Sequence, residues 1–332
     1  MKAMVCTAYG SPDVLQLKEV AKPTPKDNEV LIKVHAAVVG PADCAFRKGD
    51  PFIVKLMYGL ARPKFAILGV EFAGEIEAVG KDVTLFKNGD QVFGMSPNSF
   101  GAHAEYLCLP EDKPLIIKPA NTTYAEAAGI CDGATTALTF IRDVAKLQRG
   151  QKVLINGASG AVGAYAVQLA KHFGAEVTGV CGSPRLEFVK SLGADHVIDY
   201  TKEDFTRSGQ QYDLLFNVNG SRSWAAYKRV LKPNAIFVLV GGPKTPLIGP
   251  LSLLIKMRIG MLGASQKFAF FIAKFTREDL IILKDMIESG KVKPFVEKTY
   301  PMTRIAEAMR HLGTGHVRGK IVVTMGVNDG KR

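Results

Sequence analysis

The sequence predicts an α/β protein in two parts, one β-rich and one built on a doubly wound parallel sheet. Three observations carry the prediction. Residues 1–122 hold short β-branched runs punctuated by glycine and proline. From about Thr123 strands and helices alternate at the lengths of βαβ units, and after residue 268 the pattern turns mixed again. A chain of 332 residues is long for one domain and comfortable for two, each with a sizeable core.

In the first part, "EVLIKVHAAVV" (Glu29–Val39), "FAGEIEAVG" (Phe72–Gly80) and "QVFGM" (Gln91–Met95) read as strands, with "NGD" (Asn88–Asp90) as a turn, which suits a compact barrel or sandwich. In the second, "KVLIN" is a strand and "GAVGAYAVQLAKHFG" a helix. "AEVTGVC", "HVIDY", "DLLFNV" and "AIFVLVG" supply four more strands, separated by helical "SPRLEFVKSLG" and "SWAAYKRVL". "IGMLGA" (Ile259–Ala264) is expected as a sixth strand. Beyond it, "TREDLIILKDMIESG" (Thr276–Gly290) has a Thr cap, acids in its first turn and a Gly stop, so it reads as a helix. "TRIAEAMRHLGTG" repeats that pattern, and "KIVVTM" closes with a strand.

Composition narrows the function classes. Hydrophobic residues make up 47% and charged residues 22%, the balance of a globular enzyme. The opening "MKAMVCTAYG" has neither an apolar core nor an Arg-rich amphipathic leader, so a cytoplasmic protein is expected. The most apolar region, Pro246 to Phe275, is interrupted by Lys256, Arg258, Gln266, Lys267 and Lys274, which rules out a membrane span there. Cys6, Cys44, Cys108, Cys131 and Cys181 are scattered without a C-x-x-C pair, as expected of free thiols in a reducing compartment. The net charge of +12 is dispersed, without a Lys/Arg block or an RNA-binding signature. It therefore predicts a basic surface suited to anionic ligands, such as a phosphorylated cofactor or, as a minor alternative, an acidic membrane surface, and no nucleic acid.

The chemistry-bearing stretch is "KVLINGASGAVG" (Lys152–Gly163), with Gly157, Gly160 and Gly163 three residues apart. A glycine triplet alone signals little. Placed between a strand and a helix, it matches the arrangement in which backbone N–H groups at a helix N-terminus hold a pyrophosphate. The spacing departs from G-x-G-x-x-G, and the absence of Gly-Lys-Ser/Thr excludes a P-loop. An NAD site places an acid at the end of the next strand; here "VCGSPRLE" (Val180–Glu187) offers Ser183 and Arg185, with no acid before Glu187. Arg185 can fork onto a 2′-phosphate that a carboxylate would repel, so NADPH is the expected cofactor. A short-chain reductase is disfavoured, since Leu169 stands where Tyr165 would need a Lys four residues on. A methyltransferase would keep the missing acid.

The order of parts resembles the medium-chain dehydrogenase/reductase superfamily. "PKFAILGVEFAGEIEAVGKDVTLFKNGDQVFG" (Pro63–Gly94) is similar to its catalytic-domain signature, "EAAGICDGATTAL" (Glu126–Leu138) to its inter-domain helix, and "HVRGKIVVT" (His316–Thr324) to its last strand. The resemblance covers nearly the whole chain. It implies a GroES-like catalytic domain (1–122), a Rossmann domain (123–268) and a C-terminal return to the catalytic domain (269–332). Within the superfamily the pattern resembles the zinc-free quinone oxidoreductase-like branch. Where zinc-dependent members place a Cys and a His, this chain has Gly40 in "VGPAD" and Val70 in "GVE", and the four-cysteine lobe is missing. Cys131 alone cannot hold a metal that wants three protein ligands. It is expected either as a small apolar filler or as a reactive thiol, and Glu71 either as an active-site carboxylate or as a structural group.

The implied activity is NADPH-dependent hydride transfer to quinones or α,β-unsaturated carbonyls. An alcohol dehydrogenase-like carbonyl reductase and a non-catalytic NADPH-binding sensor or scaffold are the alternatives. Ser159, Gly160, Ala161 and Val162 are expected at the pyrophosphate, and Ser183, Arg185 and Tyr200 at the 2′-phosphate and adenosine ribose. Thr135, Val240 and Gly241 are expected beside the nicotinamide, with Lys320 adding a cofactor contact. The branch often carries an Asn where Gly40 stands. The catalytic candidates are therefore Asp43, to orient a ribose or a water, and Tyr58, to donate a proton from a covering loop. A homodimer through "IGMLGA" is also implied.

Overall fold

Strand β3 (Glu29–Val38) is the spine of the β-rich part, and its burial explains its sequence. Residues Val30 to Ile32 and Ala36 to Val38 are all buried, and both edges of the strand are paired. The structure, a computed structural model, describes residues 1–64, 66–96, 99–218, 220, 222–240, 251–270 and 274–326. It divides into two units: Met1–Asp132 with Phe275–Arg332, and Gly133–Lys274.

The first unit begins with the antiparallel pair β1 (Lys2–Cys6) and β2 (Leu15–Glu19), followed by β3. Helices α1 (Pro41–Lys48) and α2 (Phe52–Tyr58) come next, then β4 (Glu71–Val79) and β5 (Gln91–Met95). β6 (Tyr106–Pro110), β7 (Leu115–Ile117) and helix α3 (Tyr124–Ala128) follow. Helix α4 (Cys131–Leu138) crosses the unit boundary. The second unit continues with β8 (Lys152–Asn156), α5 (Ala161–His172), β9 (Glu176–Cys181), α6 (Leu186–Ser191), β10 (His196–Asp199) and β11 (Tyr212–Asn217). It ends with α7 (Trp224–Lys228), β12 (Leu231–Leu239), α8 (Leu251–Gly260) and β13 (Lys267–Phe270). The chain then re-enters the first unit as α9 (Arg277–Glu288), β14 (Val296–Pro301), α10 (Ile305–Gly313) and β15 (Lys320–Thr324).

In the first unit β3 pairs antiparallel with β4 along most of its length, from Val30↔Val79 to Ala37↔Phe72. Its other edge is shared: β6 takes the start (Glu29↔Pro110 to Lys33↔Tyr106) and β15 the end (Val38↔Val322). The full order is β14-β15-β3-β4-β5-β7, with β6 beside β3. The sheet curls around a core that includes Ile32, Val34, Phe72, Phe100, Leu115 and Ile321. α3 packs on β3 and β4, so residues 123–132, expected in the Rossmann domain, sit with the β-rich unit.

In the second unit all pairings are parallel, in the order β10-β9-β8-β11-β12-β13. β8 lies between β9 and β11, whose connections leave it in opposite directions, which creates a switch point at its carboxyl end. The sixth strand is β13, not "IGMLGA". Ile259 and Gly260 finish α8 and Met261 to Gly263 form a turn, so the expectation is corrected by six to eight residues. A short apolar run does not by itself distinguish a strand from a helix end. The C-terminal helix follows its sequence signals: Thr276 caps α9 by accepting from the Asp279 amide at 3.1 Å.

Candidate active site and cofactor loop

The glycine loop is held by main-chain contacts. β8 ends at Asn156, and Gly157 turns with φ +87°, a left-handed value that a side chain disfavours. The Gly157 and Ala158 amides donate to the Val180 carbonyl of β9 at 3.1 and 3.0 Å, and the Gly160 amide returns to the Gly157 carbonyl at 3.1 Å. A Cβ on Gly163 would lie 2.1 Å from the Gly157 oxygen, so this position admits glycine only. Gly160 differs, because a Cβ there would meet nothing nearer than that oxygen at 3.5 Å. Gly160 is also the N-cap of α5 and offers no side chain to the first-turn amides, so the positive end of the helix is left for an anion. Ser159, Gly160, Ala161 and Val162 are all half-buried along this edge.

α4 closes in on the same loop, since a Cβ on Gly133 would come within 2.7 Å of the Ala161 carbonyl. Two and six residues further along the chain stand Thr135 and Thr139. Both are buried, and neither hydroxyl has a hydrogen-bond partner among the described residues. Buried hydroxyls in that state are suited to a ligand. The loop and Thr135 therefore fit a dinucleotide. Thr139, one helical turn from Thr135, was missed, although the four-residue spacing in "TTALT" is the readable signal.

Across the sheet, Ser183 begins a short turn (Ser183–Arg185) after β9. Its hydroxyl donates to Asp199 at the end of β10, and Thr201 bonds the same carboxylate through its hydroxyl at 2.7 Å and its amide at 3.0 Å. These donors, Ser183 first, hold Asp199 below the usual carboxylate range. In this arrangement the Ser183 hydroxyl gives its proton to Asp199 and not to an acceptor-only phosphate. Arg185 is half-buried in that turn, and Tyr200 is 52% exposed, with its hydroxyl beside Gly182. Val240 follows β12 and donates to the Asn217 carbonyl at 3.0 Å, while Gly241 lies outside the described residues.

A cavity of about 270 Å³ opens at these strand ends, lined by Asn156, Gly157, Tyr200, Phe205, Gly220 and Arg222. Asn156 donates to the Asn217 side chain at 2.7 Å, tying β8 to β11 at the switch point. Arg222 was not foreseen. It lines the cavity 3.6 Å from Asp204, and its amide donates to the Tyr227 hydroxyl at 3.2 Å.

The first unit places its candidates differently. Asp43 is buried, and its two oxygens accept from the Gly40 amide at 2.8 Å and the Gly69 amide at 2.9 Å. It therefore clamps the start of α1 to the approach of β4. The Gly-Pro-Ala-Asp spacing, with an acid at the third helical position, was the available signal. Tyr58 ends helix α2, where a covering loop was expected. Its ring packs edge-on against Phe46 (4.5 Å) and Phe100 (6.5 Å).

Lys320, expected as a cofactor contact, pairs with Glu71 within the first unit. Its ammonium is 4% exposed and lies 2.7 and 2.9 Å from the two oxygens of Glu71, with Asp132 at 3.9 Å. The Asp132 amide adds a third donor to Glu71 at 2.8 Å. Burial pushes Glu71 up to about 7, against the pull of the Lys320 charge. Cys131 is fully buried beside them. Desolvation and the Glu71 charge push its thiol well above the usual range, so it serves as an inert filler.

Residues 26–120 match the family described as alcohol dehydrogenase GroES-like domain, and residues 192–323 the family described as zinc-binding dehydrogenase. The chain is 34% identical to the 2-methylene-furan-3-one reductase of Solanum lycopersicum over 97% of its own length and 79% of that protein. It belongs to the medium-chain dehydrogenase/reductase superfamily. Relatives and structures of its quinone-oxidoreductase-like branch support that placement. It is 34% identical to the chloroplastic NADPH-dependent alkenal/one oxidoreductase of Arabidopsis thaliana, over 97% of this chain and 79% of that one. The solved quinone oxidoreductase of Coxiella burnetii superposes with a TM-score of 0.86 at 30% identity, covering 98% of this chain and 99% of that one.

For a medium-chain reductase, two positions stand out. Gly40 caps α1 with its backbone, and Val70 approaches β4 with an apolar side chain, so neither carries a metal donor. Among the described residues no group of three or more His, Cys, Asp or Glu is placed to hold a metal ion, and no helix is long and apolar enough to cross a membrane.

Proposed function

We propose that this chain is a zinc-independent, NADPH-dependent reductase of quinones or α,β-unsaturated carbonyl compounds. The observation that carries the reading is the anion seat at α5, where Gly163 is closed to any side chain and Gly160 is open. The first-turn amides of α5, from Ala161 onward, hold the pyrophosphate. Arg185 faces the 2′-phosphate with a charge-assisted fork, and Tyr200 flanks the ribose. Thr135 offers its unpartnered hydroxyl on the nicotinamide side.

Bound NADPH supplies a hydride from its nicotinamide. Gly40 and Val70 leave the chain without the donors that would place a metal on a carbonyl oxygen, so the acceptor must be electrophilic by its own conjugation. Quinones and enones meet that requirement. With Asp43 engaged by two amides and Tyr58 packed among aromatics, no side chain of the first unit is assigned as the acid, and the proton comes from solvent.

The five cysteines are all free, which supports a reducing compartment such as the cytoplasm. A homodimer formed along β13, the edge strand of the parallel sheet, replaces the expectation placed on "IGMLGA". The deciding experiment is stopped-flow oxidation of NADPH and NADH against a panel of quinones, enals and simple ketones, with and without a chelator. Chelator-insensitive turnover of quinones or enals with NADPH is expected. Tight NADPH binding with no turnover of any acceptor would refute the enzyme.

A further inference from the structure

Helix α2 divides its side chains between two environments. Val54 is half-buried, and Tyr58 rests on Phe46 and Phe100. Phe52, Ile53 and Leu56 point the other way, 52%, 45% and 61% exposed, and Leu60 just beyond the helix is 63% exposed. At 100° per residue, the three helical positions fall within an arc of roughly 100°. Four large apolar side chains thus form one exposed ridge within nine residues. An exposed patch of this kind marks an interaction surface.

The ridge has a cationic rim. Lys48, Arg62 and Lys64 are exposed, and Lys55 leans over the Tyr9 ring at 5.2 Å. Asp50 is the only acid between Lys48 and Lys64. We infer that α2 and the segment following it dock peripherally on an anionic membrane surface, with the apolar ridge in the interface and the rim on lipid headgroups. The charge pattern argues against a second copy of the chain as the occupant, since a two-fold contact through this patch would set the cations of one copy against those of the other. Anionic lipid supplies the opposite sign. The chain would lie on the membrane rather than cross it, in keeping with the lack of a spanning helix among the described residues.

Flotation of the full chain with phosphatidylcholine vesicles, with and without phosphatidylglycerol, tests this directly. Binding is expected only with phosphatidylglycerol and should fall steeply as salt rises. The double substitution Leu56→Ser/Leu60→Ser should lower the vesicle-bound fraction by on the order of tenfold or more. Arg62→Glu/Lys64→Glu should lower it by about tenfold or more. Both variants should melt with the wild type, because the altered side chains are exposed. The inference is overturned if the wild type binds neither vesicle or both equally, or if the two variants float like the wild type. It is also overturned if residues 52–60 are shielded from hydrogen exchange in a vesicle-free dimer.

Discussion

The glycine loop and the Lys320–Glu71 pair are both tight, and they are tight for opposite reasons. The loop is a local object: Gly157, Gly160 and Gly163 lie within seven residues, and main-chain atoms of β9 and of the loop itself hold it. The ion pair joins residues 249 apart in sequence through side chains alone, inside a low-dielectric core. A local backbone site can be read from a short string of letters. A side-chain pair assembled by the return of the chain can be read only from the fold. The two should also fail differently, the loop through lost space and the pair through an exposed electrostatic debt.

The largest expected effect separates folding from binding within the loop. Gly163→Ala drives a Cβ into the Gly157 carbonyl and should cost about 3 kcal/mol or more, visible as a lower melting temperature. Gly160→Ala should leave melting unchanged while raising the NADPH dissociation constant on the order of a hundredfold, by fluorescence titration. Equal loss of stability in both would mean that the loop is only a packing device.

Next comes the pair. Lys320→Met leaves Glu71 buried without its cation and should destabilise the chain by about 3–5 kcal/mol in urea unfolding above about pH 7, where Glu71 is ionised in the wild type. Adding Glu71→Gln should restore much of the loss, which is the signature of charge rather than of shape. A double variant no better than the single would show that the stem of Lys320, rather than its charge, matters.

A smaller effect distinguishes the two arginines at the strand ends. Arg185→Ala should raise the Michaelis constant for NADPH about tenfold or more and leave that for NADH nearly unchanged. Arg222→Ala should weaken both cofactors about threefold, because stacking and field at the cavity do not depend on the 2′-phosphate. A reversed order would move the phosphate seat to Arg222.

The smallest effect is in pH. Glu71 binds its proton more tightly folded, near 7, than unfolded, near 4.5. Its contribution to stability is therefore full below about 4.5, declines as pH rises, and is gone above about 7. Glu71→Gln should flatten that slope in urea midpoints measured across the window, and an unchanged slope would assign it to another group.

These contrasts also explain what the sequence made legible. β3, β5, β8, α5 and α9 lie where periodicity, caps and breakers place them, because each signal acts within a few residues. "IGMLGA" misled because an apolar run of that length suits a helix end as well as a strand. The basic "KFAF" that forms β13 has little to announce it. Asp199 is not legible from the end of β9, where an acid for the ribose would stand. The parallel sheet brings the end of β10 alongside, where Ser183 and Thr201 occupy its carboxylate. Arg222 arrives from the far side of the switch point by the same route.

The division of the first unit between the two ends of the chain has a consequence for synthesis. A ribosome completes Gly133–Lys274 as one uninterrupted stretch, while Ala36 to Val38 of β3 still lack the strand that will cover them. That strand is β15, and its first residue is Lys320. A nascent or prematurely terminated chain that stops short of it keeps a raw sheet edge and an unmatched Glu71 together. The first unit is thus incomplete until the strand beside β3 is made, whereas the second unit is finished well before it.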